Sequence, residues 1–290
     1  ENILPSTSPR RNTKTRKTWL INVATSGNGN AFARYALSRG HNVVATARSA
    51  GKLEELRKQS PDQVLALTLD VTRAGDAARA VAAAIERFGA IDVLINNAGY
   101  AMVGTIEETP ETELRALMET NFFGAAAVTK ATLPHMRLRR SGAIVNVSSM
   151  GGQMSFPTVG AYSATKFALE GYSEALAQEV QPFGIKVLIV EPGAFRTSLV
   201  SSGDRFMPAL DAYRETTAGV RQAMKDMDGT QAGDPIKAAA AIEKALDAKT
   251  TPLRLALGAD AIDAIRDHAK GLLAELETWK DVGIDTRLQE

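Results

Sequence analysis

Short runs of β-branched and other apolar residues recur along the chain from residue 18 onward, each apolar at nearly every position. Runs of this kind are typical of strands that are buried on both faces, as in a parallel sheet. Seven strands are therefore predicted, at Thr18–Val23, Asn42–Ala47, Val64–Leu69, Asp92–Asn96, Ala143–Ser148, Lys186–Glu191 and Leu253–Leu257.

Longer segments of helical periodicity separate these runs, and Ala74–Phe88 is an example. Strands that alternate with helices form right-handed βαβ units. The predicted fold class is α/β: a doubly wound parallel sheet, Rossmann-type, of about seven strands with helices on both faces. A binding crevice is expected at the C-terminal edge of the strands. Helices are also predicted at Asn30–Arg39, Pro110–Arg140, Ala161–Phe183 and Asp260–Glu277, the last of them packing on the outside of the domain.

Two segments do not follow the alternation. Residues 1–17 carry five basic residues, two prolines and one acid, which predicts a mobile basic tail. An organellar targeting peptide is the alternative, and the prolines and the lack of an apolar face argue against it. Ser198–Asp234 is a long stretch between the sixth and seventh strands, and insertions of that length are usually functional lids. Residues 18–290 are therefore predicted to form a single Rossmann-type catalytic domain with this lid.

Composition excludes several classes of protein. Apolar residues make up 44% and charged residues 23% of the 290, which excludes wholesale disorder, and the net charge of +1 argues against a nucleic-acid partner. There are no cysteines and only three histidines, so no metal site is expected. No apolar run reaches the roughly 18 residues of a membrane span. We expect a cytoplasmic protein with an ordinary core.

A glycine-rich turn follows the first strand, where Thr25, Ser26, Gly27, Asn28 and Gly29 lead into a helix. Such a turn lets the backbone approach a diphosphate at the helix N-terminus, although an ordinary tight turn has the same composition. Arg48 ends the second strand, where an arginine accommodates the 2′-phosphate of NADP; a solvated surface arginine is the alternative.

The most specific signal is a spaced set of three polar residues. Tyr162 and Lys166 are four residues apart on one helix face, and Ser149 precedes Tyr162 by 13 residues, just after a strand. A phenol has a reference pKa of about 10, and an adjacent ammonium lowers it toward neutral pH. A serine hydroxyl opposite can bind the oxygen on which charge develops. Together they predict a general acid/base site.

Several further motifs follow in order along the chain. They are Asn96-Asn97-Ala98-Gly99, Asn121 in Thr120–Gly124, Ser149, Tyr162 to Lys166, and Pro192-Gly193. Together these motifs resemble those of the short-chain dehydrogenase/reductase family, and the resemblance extends from about Thr18 to Thr197. Within the family, the segment from Ser149 to Gly171 is most similar to the branch that acts on hydroxysteroids, retinoids and other apolar alcohols.

The resemblance implies a role for each matching residue. Tyr162 would be the acid/base, Lys166 would lower its pKa and hold the nicotinamide ribose, Ser149 would hold the substrate oxygen, and Asn121 would act through a helix irregularity and a water. NADP(H) is expected in preference to NAD(H), because of Arg48. The implied cofactor contacts are Thr25, Ser26, Gly27, Asn28, Gly29, Arg48, Asp70, Asn97, Ala98, Gly99, Tyr162, Lys166, Pro192, Gly193, Phe195 and Thr197. Asn96 is expected instead to tie neighbouring strands together.

One departure lies at the start of the glycine-rich turn. Asn22 and Val23 stand where the family pattern has threonine and glycine. A valine there disfavours positive φ and places a branched side chain beside the diphosphate.

The predicted function is an NADP(H)-dependent oxidoreductase that acts on a mainly apolar ketone, aldehyde or secondary alcohol. Its pocket is expected to take Met150, Met154, Phe156 and Phe195 on one side and the lid on the other. The alternatives are a Rossmann-type binding or regulatory protein whose cofactor site is impaired at Val23, and an enzyme that epimerises or dehydrates an activated sugar. By the same resemblance, a homodimer or homotetramer is expected through Pro110–Arg140 and Ala161–Phe183.

Overall fold

Seven parallel strands form one sheet in a computed structural model of the chain, which describes residues 16–197 and 206–288. Their spatial order is β3-β2-β1-β4-β5-β6-β7, so the order reverses between β1 and β4. The predicted doubly wound fold is confirmed. The strands are β1 Thr18–Ile21, β2 Asn42–Ala47, β3 Val64–Thr68, β4 Val93–Asn96, β5 Gly142–Val147, β6 Ile185–Pro192 and β7 Arg254–Leu257.

Helices connect these strands and cover both faces of the sheet. The α-helices are α1 Gly27–Ser38, α2 Glu54–Gln59, α3 Asp76–Phe88, α4 Glu111–Met118, α5 Gly124–Arg139, α6 Gly160–Val180, α7 Arg214–Asp226, α8 Pro235–Asp247 and α9 Ala259–Ile284. A π-helical segment, Glu119–Phe123, joins α4 to α5. Short 3-10 turns lie at Ala50–Leu53, Met150–Gly152, Gln181–Phe183 and Asp211–Tyr213.

Successive side chains of each central strand enter opposite cores. In β1, Trp19 and Ile21 belong to a cluster that includes side chains of α1 and α8, whereas Leu20 belongs to a cluster with α3, α5 and α6. All three side chains are buried. This two-sided burial explains why the strands form continuous apolar runs in the sequence.

The first strand is shorter and the first helix longer than predicted. β1 ends at Ile21, because Val23 adopts a positive φ of 56° that no strand allows. α1 begins at Gly27, three residues before the predicted start at Asn30. The pattern of apolar residues did not indicate the end of β1 or the start of α1, because the backbone conformation of the turn between them sets both boundaries.

The predicted tail is shorter by at least one residue. Residues 1–15 lie outside the described part, but Lys17 is held by the fold: its N–H donates to His41 Nδ1 over 3.2 Å, and its Nζ lies 2.8 Å from Asp247 Oδ1. Residues 198–205 of the predicted lid also lie outside the described residues. The rest of the lid contains α7.

The C-terminal helix corrects a prediction. α9 runs to Ile284, seven residues past the predicted end at Glu277, and Ala261 is its one residue classed as buried. Leu272, Leu276 and Trp279 are each more than half exposed. The expected packing of this helix on the outside of the domain is therefore wrong beyond its first turns, since no described element covers them.

Candidate active site

A ladder of buried side-chain amides crosses the C-terminal edge of the sheet. Asn22 Nδ2 donates to Asn96 Oδ1 over 3.0 Å, and Asn96 Nδ2 donates to Asn146 Oδ1 over 2.8 Å. Asn146 Nδ2 then donates to Ser173 Oγ on α6 over 2.7 Å. We call these four residues the polar ladder. It confirms that Asn96 ties strands together, and it fixes the ends of β1, β4 and β5 relative to α6.

Ser149 follows β5 by two residues and starts the Met150–Gly152 turn. Its Oγ accepts a hydrogen bond from the Gly151 N–H over 3.1 Å. The side chain of Tyr162, in the first turn of α6, is within hydrogen-bonding distance of Ser149. Burial raises the pKa of Tyr162, and the hydrogen bond with Ser149 opposes this rise. The two hydroxyls therefore lie side by side, and burial favours the protonated form of the phenol.

Lys166 lies one turn along α6 from Tyr162 and is buried. Its Nζ donates to the Val147 carbonyl over 2.8 Å and lies 5.7 Å from the centroid of the Tyr162 ring. Burial lowers the pKa of Lys166 to about 8, and the negative charge of Glu170 opposes this. Lys166 thus lies near Tyr162, on the same helix face, as predicted. Burial has a larger effect on the pKa of each of these residues than any other interaction.

Asn121 lies in the π-helical segment, at the kind of helix irregularity that the resemblance implies. Its Oδ1 accepts from the Tyr100 N–H over 3.1 Å, and its Nδ2 donates to Thr165 Oγ1 over 3.0 Å. A Cβ at Gly99 would lie 3.2 Å from Asn121 Oδ1 and 3.6 Å from Lys166 Nζ. Asn121 therefore lies behind Gly99, beside the lysine, without lining the cavity.

One cavity of about 420 Å³ brings many of the predicted site residues together. Met150, Phe156 and Phe195 line it as expected, and Met224 and Met227 from the segment predicted to be a lid line it as well. Met154 is not in its wall, because the 3-10 turn reverses the chain after Met150. Predicted site residues in the wall are Asn28, Asn97, Gly99, Ser149, Tyr162, Lys166, Pro192, Gly193, Phe195 and Thr197.

The glycine-rich turn lies at the mouth of this cavity. Gly27 has a φ of 53°, and a Cβ there would lie 3.3 Å from Thr197 Cβ. A Cβ at Gly29 would overlap the Val23 carbonyl oxygen and the Asn97 amide. The first turn of α1 has no acidic residue, and Ser26 makes no side-chain cap. No acidic side chain or side-chain cap at the N-terminus of α1 therefore competes with an anion, and the glycines let the backbone approach that anion closely. A dinucleotide diphosphate fits such a position.

Thr25 and Ser26 line a second cavity, of about 530 Å³, beside the first. Gly27 and Thr197 also line it, and Thr197 is common to both cavities. The glycine-rich turn therefore lies between the two cavities, with its hydroxyl-bearing residues on the side away from Tyr162.

Asn22 and Val23 are built into the turn in spite of the departure. Asn22 Oδ1 accepts from the backbone N–H groups of Asn97 and Ala98 over 2.6 and 2.5 Å. Hydrogen bonds hold the residues on both sides of Val23: Asn22 N–H donates to Ile95 O, and Ala24 N–H donates to Thr46 O. These bonds impose a left-handed conformation that costs a valine about 1–3 kcal/mol.

Arg48 and Asp70 lie at the far end of the crevice, outside the 420 Å³ cavity. Arg48 is exposed, and Asp70 accepts from the Thr72 hydroxyl over 2.7 Å. That hydrogen bond is the largest influence lowering the pKa of Asp70, and the charges of Arg73 and Arg48 add to it. Arg48 is therefore close enough to Asp70 for its charge to lower the pKa of that carboxyl group.

Sequence reasoning missed several residues of the cavity wall. Tyr100 and Ala101 directly follow the Asn97–Gly99 motif, which could have indicated them. Asp260 lies in the first turn of α9, and its Oδ2 accepts from the Ala194 N–H over 2.7 Å. No motif marks Asp260 or Gln231, because each reaches the cavity from an element distant in sequence.

Comparison with known proteins gives a consistent result. The profile of the family described as short chain dehydrogenase matches residues 17–206. Oxidoreductase BOA17 of Botryotinia fuckeliana is 37% identical over 92% of this chain and 98% of its own length. The 3-ketodihydrosphingosine reductase of Bacteroides thetaiotaomicron is 40% identical over 82% of this chain and 87% of its own. A short-chain dehydrogenase structure from Streptomyces avermitilis has a TM-score of 0.88 at 49% identity, covering 94% of this chain and all of that one.

More distant structures share the fold with a bound dinucleotide. A Burkholderia phymatum short chain dehydrogenase/reductase in complex with NAD has a TM-score of 0.79 at 21% identity, covering 90% of this chain and 95% of that one. An alcohol dehydrogenase from Thermococcus sibiricus with 5-hydroxy-NADP has a TM-score of 0.68 at 24% identity, covering 83% and 96%. Separately, none of the helices in residues 16–197 and 206–288 has the length and apolar character needed to cross a membrane.

The close approach at Gly29 predicts a contrast between two helical glycines. Gly29→Ala should lower both the melting temperature and the affinity for NADPH, since its Cβ would displace the Val23 carbonyl. Gly171→Ala, in α6 with open space around the position, should leave binding unchanged and stabilise the fold by up to about 1 kcal/mol. Thermal unfolding and fluorescence titration measure both variants; equal behaviour would contradict the role of Gly29.

Proposed function

Because the chain belongs to the short-chain dehydrogenase family, we propose that it is an NADP(H)-dependent enzyme that reduces a mainly apolar ketone or aldehyde, or oxidises the corresponding alcohol. The observation that carries the proposal is the meeting of Ser149, Tyr162 and Lys166 in the wall of one cavity that is also lined by three methionines and two phenylalanines. The glycine-rich turn beside that cavity has the form that a dinucleotide needs.

The proposed chemistry divides between cofactor and protein. A bound nicotinamide supplies or accepts the hydride. The Ser149 and Tyr162 hydroxyls hold the carbonyl oxygen from one side, and Tyr162 Oη donates its proton as negative charge develops on that oxygen. Lys166 places a positive charge behind the ring, where it favours the phenolate left after the transfer.

The pKa of Tyr162 favours one direction at neutral pH. Because burial raises it, the phenol holds its proton there, as carbonyl reduction requires. Alcohol oxidation needs the deprotonated phenolate, so its rate is expected to increase with pH.

Apolar walls support an apolar substrate. Met150, Phe156, Phe195, Met224 and Met227 surround the two hydroxyls, and sulfur-bearing side chains adapt to flexible apolar groups. The relative described as a 3-ketodihydrosphingosine reductase is named for a ketone, which supports reduction of a ketone by this chain.

A second candidate is a binding or regulatory protein that has the fold without efficient turnover. Val23 favours it, since a valine held at a φ of 56° in the diphosphate turn is strained. Failure of the folded protein to bind either NADPH or NADH would favour this candidate over the enzyme.

The first prediction concerns the acid/base. Tyr162→Phe should lower kcat for carbonyl reduction by at least about 100-fold while NADPH affinity stays nearly unchanged, because only the proton donor is lost. The measurement is NADPH consumption against a panel of apolar ketones. Tyr172→Phe on the same helix, whose ring packs against Phe122, is the matched control and should retain activity. Full activity of Tyr162→Phe would contradict the assignment.

The second prediction concerns the choice of cofactor. Arg48→Ala should raise the Kd for NADPH at least about tenfold, since a charge-assisted contact with the 2′-phosphate is lost, and should leave the Kd for NADH unchanged. Arg57→Ala, an exposed arginine paired with Glu54, is the control. An equal effect on both cofactors, or none, would show that Arg48 does not contact the phosphate.

The third prediction concerns assembly. Phe123 and Phe167, in the two segments expected to self-associate, are each about half exposed, which supports a homodimer or homotetramer through those segments. Light scattering should give a mass of two or four chains for the purified protein, and Phe167→Glu should lower it. A monomeric mass for the unaltered chain would contradict this expectation.

A further inference from the structure

Two buried carboxylates lie directly behind the turn that carries Ser149. Glu191, near the end of β6, is 2% exposed, and Glu170 in α6 is also buried. Both reach the same atom of β7: Arg254 Nε lies 3.0 Å from Glu170 Oε2 and 3.3 Å from Glu191 Oε1. Neither carboxylate has a part in the chemistry described above.

Two cations act on this cluster: Arg254 contacts both buried carboxylates, and the buried Lys166, one turn earlier on α6, acts on Glu170 through its charge. Arg254 also donates through Nη2 to Glu174 Oε1 over 2.6 Å, so one guanidinium serves three carboxylates. Glu174 is half exposed and is stabilised by water, but Glu170 and Glu191 are not. The charged groups facing Glu191 in the described chain are Glu170 from α6 and Arg254 from β7, while the Ser149 turn contributes the neutral Gln153. A second buried negative charge here is costly.

The carboxyl group of Glu170 is incompletely paired. Its Oε2 accepts from Arg254 Nε, but its buried Oε1 has no hydrogen-bond partner in the described residues. A proton held between Glu170 and Glu191 would lower the negative charge that the two carboxyl groups must bury. Consistent with this, burial raises the pKa of Glu191 to about 7, and the charge of Glu170 adds to the rise.

Glu191 is also tied to the turn that carries Ser149. Gln153 Nε2 donates to Glu191 Oε1 over 2.6 Å, and the Gln153 N–H donates to the Met150 carbonyl over 3.1 Å. A Cβ at Gly152 would lie 3.1 Å from Glu170 Oε1, so the turn rests directly on the carboxylate pair. A change in the pair therefore reaches Ser149 through one side chain.

We propose that Glu191 is a positioning residue: by sharing one proton with Glu170 it holds Gln153, and through Gln153 the Ser149 turn, in the geometry that binds the carbonyl oxygen. This inference rests on the proposed carbonyl reduction. When the proton is lost, the two buried carboxylates repel each other beside Arg254, and Glu191 shifts with Gln153 still bound to it, which displaces the turn. The loss weakens substrate binding and leaves Tyr162 and Lys166 in place.

The test compares Glu191→Gln with Glu174→Gln across pH 6–9. In Glu191→Gln the amide keeps the shape of the carboxyl group and supplies a permanent donor toward Glu170, so the KM of this variant for the ketone should stay flat with pH. In the unaltered enzyme and in Glu174→Gln, which alters another partner of Arg254, KM should rise above pH 7 by up to about tenfold per pH unit, as the competent fraction falls. The pH dependence of kcat should be the same in the unaltered enzyme and in Glu174→Gln.

A second measurement uses no substrate. A glutamate whose pKa is raised in the folded state binds its proton more tightly there, so stability falls as pH rises from about 4.5 to about 7 and stays lower above that range. The melting temperature of the unaltered protein should show this fall, and that of Glu191→Gln should not. This arm remains informative if no ketone is reduced.

The two arms separate the outcomes. A flat melting profile in the unaltered protein, or the same fall in Glu191→Gln, would overturn the shared proton. The positioning role would be overturned if the unaltered protein shows the predicted fall in stability but the KM of Glu191→Gln rises with pH as much as that of the unaltered enzyme. If no ketone is turned over but stability falls with pH as predicted, the proposed function is contradicted and the shared proton is supported.

Discussion

The need to pair buried amides at one edge of the sheet governs the geometry of this site. Asn22, Asn96 and Asn146 end or follow three neighbouring strands, and each is nearly inaccessible to water, so each must find its partner within the protein. The polar ladder satisfies them in series and extends to Ser173 on α6. Ser149 is three residues beyond one rung, and the helix that carries Ser173 also carries the tyrosine and lysine of the site. The positions of Ser149, Tyr162 and Lys166 are therefore fixed by buried groups that do not line the cavity.

Much of this architecture could be predicted from the sequence, because the strands are apolar on both faces and the motifs follow their C-terminal ends. What could not be predicted depends on contacts between segments far apart in the chain. Met154 is excluded from the cavity by a single 3-10 turn, and Asp260 reaches it from a helix that follows the last strand, far beyond the motif at Pro192. The exposure of α9 was not predicted, for a related reason. Its apolar residues indicate a helix face that packs against another element, but their periodicity does not identify that element.

Val23 shows why a departure from a sequence motif does not by itself predict that the backbone conformation of the motif is lost. Its neighbours are fixed to β2 and β4 by backbone hydrogen bonds, and Asn22 accepts two further N–H groups from the chain after β4. The turn therefore keeps the left-handed conformation that a glycine would adopt freely, at a cost borne by the fold. The strain lies in the backbone beneath the diphosphate position, away from the four predicted catalytic residues.

The charge environment of Tyr162 and Lys166 also extends beyond the cavity. Lys166 is buried, so its charge is costly, and the carboxylate of Glu170 one turn later offsets part of this cost. The same carboxylate contacts Arg254, which the buried Glu191 contacts as well. Arg254 lies on the edge strand β7, and no family motif marks it. A series of charged side chains thus connects the last strand of the sheet to a lysine in the wall of the cavity, through a carboxylate that lies outside that wall.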